Sequence, residues 1–314
     1  MMARQAVSER PSDAVAAAQQ LLVRARRPRQ RAWQRIFLLP LVLVLAATTI
    51  VPVLYMAGLA LGDPQGTLSL SGVQGFGTFA SVLTSAAVWR ALGLAVVFLA
   101  GALSVELVLG VGAALLLDRL APGNAAVRVL LLWPAVLPPI AVALVFKFLL
   151  QGDIGLISYY LSKVGIDQAW LTHPAQAMAV IIAVDVWQYT PFVILLTLAA
   201  LAGFPEELRE AASLDGAGAL QVIGHIVLPT VAPALVAVTL LRFIDAIQVF
   251  PTIYVLTRGG PGTSTQLLTY FNYTTFFGEL RFGQGAAIAI LVVIFTMACV
   301  TALLALQRRV ERAL

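Results

Sequence analysis

Residues Glu206 to Pro233 read EELREAASLDGAGALQVIGHIVLPTVAP, a short polar island between two long apolar runs. Pro205 suits the first turn of a helix, where its missing N–H costs nothing. Glu206, Glu207 and Glu210 then set negative charge against the positive end of the helix dipole. A short helix is therefore predicted to start here. Ala211 and Ala212 let another surface approach the backbone closely, and Gly216 can take the left-handed conformation that ends a helix. The stretch reads as a compact, rigid knob at a membrane surface, and its bland alternative is an ordinary loop helix.

Working outward, the flanking runs are those of a membrane protein. Hydrophobic residues make up 60% of the 314 positions and charged ones 11%, far outside the usual soluble range. Helices need roughly 20 apolar residues to cross the hydrocarbon. Six spans are predicted, near Ile36 to Leu61, Trp89 to Leu117, Ala126 to Leu150, Ala175 to Ala202, Ile226 to Leu256 and Gly283 to Leu306. The first is too long for the core of a signal peptide and reads as an uncleaved span. Residues 1–35 form an N-terminal tail, 36–308 the membrane domain with its polar loop at 204–225, and 309–314 a C-terminal tail.

Fourteen basic residues fall in the two tails, the loop after the second span and the polar island, against four on the other side. The positive-inside tendency places both termini and the island in the cytoplasm. That asymmetry accounts for the net charge of +5 without nucleic acid. One cysteine, Cys299, and two histidines give neither a disulfide framework nor a zinc cluster. No metal ligand set and no catalytic residue is predicted. A phosphate-binding loop needs Lys before Ser or Thr, whereas Lys147 and Lys163 precede Phe148 and Val164. On the outer side, Gln151 to Pro174 carries an amphipathic patch at Ile154 to Lys163, while Gly62 to Ser71 and Arg258 to Thr265 carry turn chemistry.

The spacing Glu210-Ala211-Ala212, three residues, Gly216, nine residues, then Ile226-x-Leu228-Pro229 resembles the EAA loop of bacterial importer permeases of the ATP-binding-cassette class. A second stretch, Tyr254, Leu256, Thr257, Gly259, Gly260 and Pro261, is similar to the Y-x-L-T-x-G-G-P signature of sugar-importer permeases, and Pro191-Phe192 points to the same carbohydrate branch, the maltose and glycerol-phosphate type. An Asp common in that family after the preceding Phe is replaced here by Pro251, so its role does not transfer. The resemblance implies an all-α membrane protein with six transmembrane helices and a cytoplasmic coupling helix, set in the lipid of a bacterial inner membrane. It implies a second homologous permease, two ATPase subunits that bind ATP and Mg, an extracytoplasmic solute-binding protein, and a sugar or polyol substrate moved by alternating access. Glu206, Glu207, Glu210, Ala211, Ala212, Asp215 and Gly216 would couple to the ATPase, the Glu206 to Gly224 helix moving with it. Ile226, Leu228 and Pro229 would anchor the loop.

Ionisable residues within spans are costly and functional by default. Glu106, Lys147, Asp185, Arg242 and Asp245 are such residues. Asp185, Gln188 and Tyr189 share one helical face, and Arg242, Asp245 and Gln248 follow at one-turn intervals. Facing each other, the two sets would line a polar substrate path. Alternatively, Arg242 and Asp245 neutralise each other, Asp185 and Gln188 serve bundle hydrogen bonding, and Glu106 pairs with Lys147. Trp133 and Trp187 read as interfacial anchors or as sugar-stacking rings. Prolines at 134, 138, 139, 229, 233 and 251 predict kinked helices beside a cavity. An ion-gradient carrier using Glu106, Asp185 and Asp245 is the competing function, for which inverted repeats would be expected.

Overall fold

The computed structural model describes residues 38–63, 75–120, 125–152, 154–165 and 169–313. The N-terminal tail and nearly all of the Gly62 to Ser71 segment lie outside them. The chain divides into two compact units, 1–57 and 58–314. The described part of the first lies within one long apolar helix, α1 (Leu38–Ala60).

Among its described residues the second unit consists of helices and the turns between them, with no strand. Its frame is two long helices, α3 (Ala86–Leu120) and α7 (Pro174–Leu201), which follow the short α2 (Gly77–Thr84) and pack against each other along much of their length. Apolar residues surround α7 on every side, which suits a central helix, and Ile181, Val184, Val193 and Ile194 are among its buried members. Close approach is set by two glycines of α3. A Cβ on Gly101 would meet Ile182 Cδ1 at 2.8 Å, and one on Gly110 would meet Val193 Cγ1 at 2.5 Å. Small residues at such a crossing let backbones near each other where burial alone gives no drive.

Between these helices the chain folds through α4 (Ala125–Val136), α5 (Pro139–Leu149) and the short α6 (Leu156–Lys163). The third span was expected as one kinked helix; it is a pair bent by 96° at Leu137 and Pro138. Pro138 and Pro139 each lack an N–H, and the residue before a proline is pushed out of helical geometry. Five described helices are long and apolar enough to cross a bilayer, and a sixth crossing results if the bent pair counts as one.

The polar island forms α8 (Glu206–Leu214) and α9 (Ala219–Val222). A π-helical turn, Ile223–Val227, then leads into α10 (Leu228–Ala246). Two expectations are corrected here. No single helix runs from Glu206 to Gly224, because Gly216, at φ +79°, breaks it. The fifth span also starts earlier than Ile226 and stops at Ala246, leaving α11 (Phe250–Leu256) separate. After α12 (Leu268–Tyr273) and a second π turn, α13 (Phe282–Ala313) closes the chain. It passes well beyond Leu306, so the segment read as a short C-terminal tail continues that helix. In the bundle α10 packs on α3, α7 and α13, and α11 packs on α5.

Candidate functional site

Arg242 is the centre of a buried ionic cluster. Its Nε lies 2.7 Å from Glu106 Oε2, an ion pair rather than an aligned hydrogen bond. Its Nη2 donates to Glu106 Oε1 at 2.9 Å and to Asp185 Oδ2 at 2.5 Å, and its Nη1 donates to Asp245 Oδ2 at 2.7 Å. The Tyr189 ring covers the guanidinium, 4.1 Å from its carbon. Arg242 and Glu106 are wholly buried and Asp185 nearly so, whereas the Asp245 side chain is 55% exposed. Glu106 stands on α3, Asp185 and Tyr189 on α7, and Arg242 and Asp245 on α10. One guanidinium therefore pins three helices, and its planar fork suits such multiple pairing better than a lysine ammonium would.

Of the six residues expected along the path, Asp185, Tyr189, Arg242 and Asp245 are brought together. Gln188 is not among them. It is 1% exposed, and its Nε2 donates to the Leu137 carbonyl at 2.9 Å, satisfying an oxygen freed by the break between α4 and α5. Gln248 lies beyond the end of α10 and is exposed. The local i, i+3 pairing of Arg242 with Asp245 is present, and the two carboxylates from other helices are added to it. The expected Glu106 to Lys147 pair is absent, because Lys147 Nζ donates to the Val255 carbonyl at 3.0 Å instead. It thereby caps the end of α11, where carbonyls lack partners. Glu106 had been singled out as a buried acid; local spacing carried no sign of its partner.

Just past Gln248, aromatic rings succeed one another. Phe250 lies 5.6 Å from Tyr254 and 4.8 Å from Tyr273, and Tyr273 lies 5.4 Å from Phe277. The sequence singled out Tyr254 only as part of its signature and not as one of a row of rings, since the rings come from two helices and a π turn. Beside them, the Tyr254 to Pro261 signature leads into a tight fold. The Thr265 hydroxyl there is 2.7 Å from both Thr257 Oγ1 and the Gly260 carbonyl.

The knob is the second element. Glu206, Glu207, Glu210, Ala211 and Asp215 are exposed, while Ala212 is buried in a core shared with Ala114, Leu198, Phe204, Val222 and Val227. The N–H of Gly216 donates to the Ser213 carbonyl and that of Ala217 to the Ala212 carbonyl. This is the Schellman closure that a left-handed glycine permits. Arg209 ties α8 back to the end of α3 through Asp118 at 3.2 Å. Val222 and Val227 are the fully buried contacts beneath the knob, whereas Ile226, Leu228 and Pro229, expected as its anchor, are half-buried. Leu214 and Leu220, on either side of Gly216, are 88% and 84% exposed.

Comparison with known proteins places this architecture. The family described as the binding-protein-dependent transport system inner membrane component matches residues 106–314. The trehalose/maltose transport system permease protein MalF of Thermococcus litoralis is 35% identical over 266 residues, covering 83% of this chain and 89% of its own. The trehalose transport system permease protein SugA of Mycobacterium tuberculosis is 30% identical over 258 residues, 81% of each chain. In fold, the chain is similar to the crystal structure of a bacterial transporter involved in import of the acidic polysaccharide alginate. That match has a TM-score of 0.78 and 23% identity, and covers 91% of this chain and 99% of the other. The ion-gradient carrier weighed from the sequence is thereby set aside. This chain belongs to the family of binding-protein-dependent transport system inner membrane components, the membrane permease subunits of importers whose ATPase resides in separate chains.

Proposed function

We propose that the chain forms half of the membrane path for a sugar or polyol and pairs with a second, homologous permease. The observation that carries the substrate class is the 35% identity, over 83% of this chain, to a permease named for trehalose and maltose. The site chemistry agrees with it. An exposed carboxylate and amide, Asp245 and Gln248, offer partners for hydroxyl groups. The exposed Tyr254 ring on α11 offers a face for the apolar side of a sugar ring. A binding protein on the outer side delivers the substrate, and the protein sits in a bacterial cytoplasmic membrane with both termini inside.

Two ATPase subunits, which bind ATP and Mg, take up the knob. Glu206, Glu207, Glu210, Ala211 and Asp215 form its polar rim, with Leu214 and Leu220 as the apolar tip that enters a groove. Closure of the ATPase dimer moves α8, and the buried core under it passes the motion to α7 and α10, so that the path opens to alternate sides. The test is ATP-driven uptake of radiolabelled trehalose and maltose by the reconstituted four-subunit complex with its binding protein. Saturable uptake that stops without ATP supports the reading. Equal uptake without the ATPase subunits, or crosslinks from Ala211→Cys or Asp215→Cys that never reach them, refutes it.

A further inference from the structure

We propose that the path past Asp245 selects against negative charge, so that the cargo is a neutral sugar or polyol rather than a phosphorylated or uronate one. The proposal rests on the cluster being part of the path wall. Family membership alone does not choose, since a structural neighbour imports an acidic polysaccharide.

An anionic cargo inside a membrane needs a cation that it can touch. Arg242 is 0% exposed, and every arm of its guanidinium is already held by a carboxylate. Lys147, the other basic residue singled out within the spans, donates to the Val255 carbonyl, and Arg90, near the start of α3, donates to Thr263 Oγ1. Among the described residues, Glu106, Asp185 and Asp245 form salt bridges with Arg242 alone. With three carboxyls against one guanidinium, the cluster becomes positive only if all three carboxyls are protonated. Its single open member is Asp245. A carboxylate exposed within a span faces a water-filled cavity or a partner, and in a confined, poorly screened space it repels a passing anion strongly.

The experiment is equilibrium binding of radiolabelled trehalose and trehalose 6-phosphate to the assembled importer in nanodiscs, without the binding protein. The expected result is that trehalose binds and the phosphate binds about tenfold more weakly or worse. Asp245→Asn, in complexes that elute intact, should narrow that gap, and Asp245→Glu should keep it. Equal or tighter binding of the phosphate, or a gap unmoved by Asp245→Asn, overturns the inference while leaving the sugar path standing. Saturable binding of neither compound removes the sugar path and the inference together.

Discussion

Arg242, wholly buried, shares its charge among three helices, so its loss leaves two buried carboxylates without compensation. Arg242→Met should destabilise the complex by about 3–5 kcal/mol, and replacing the whole triad (Glu106→Leu, Asp185→Leu, Arg242→Met) should restore most of that loss. Thermal melting of the purified complex checks both, and a single variant as stable as wild type would deny the cluster its structural part. Gln188→Leu should cost about 1–3 kcal/mol through the unpartnered Leu137 carbonyl, with the uptake preference between trehalose and maltose unchanged. The local sequence disclosed which ionisable residues lie within apolar runs and which share a helical face. It did not disclose that Glu106 meets Arg242, because 136 positions separate them. Nor did it disclose that Gln188 turns toward a helix break, because that carbonyl is freed by prolines on another helix.

At the scale of elements, glycines set the two geometries that matter most. A Cβ at Gly216 would meet nothing within 4 Å, so its value lies in the left-handed backbone rather than in space. Gly216→Val should therefore strain the knob by about 1–2 kcal/mol and lower sugar transported per ATP hydrolysed. Gly216→Asn, which tolerates that backbone, should keep the ratio near wild type; equal ratios for both variants would separate coupling from the turn. Gly110→Leu should act differently, forcing Val193 and α7 away from α3 at a cost of about 1–3 kcal/mol or more, read as loss of thermal stability. Long apolar runs located most spans to within a few residues. The 96° bend and the gap after Ala246 were not legible in the same way, since proline announces an interruption but not its angle.

For the whole molecule, the arginine distribution makes a claim about sidedness that can be measured directly. In a Cys299→Ala background, Asp215→Cys in intact cells should resist a membrane-impermeant thiol reagent and react once the membrane is opened. Labelling before opening would reverse the topology. The pairing of α8 with α3 has a mechanical consequence for the assembled transporter. Arg209 grips Asp118, and twelve residues back on the same continuous helix stands Glu106, roughly 18 Å away. If α8 docks on the ATPase as proposed, tension applied at the knob would reach the buried ionic cluster along one stiff rod, with little backlash. Asp118→Ala should cut that grip while leaving both ends intact, and the sugar transported per ATP hydrolysed by the reconstituted complex should then fall.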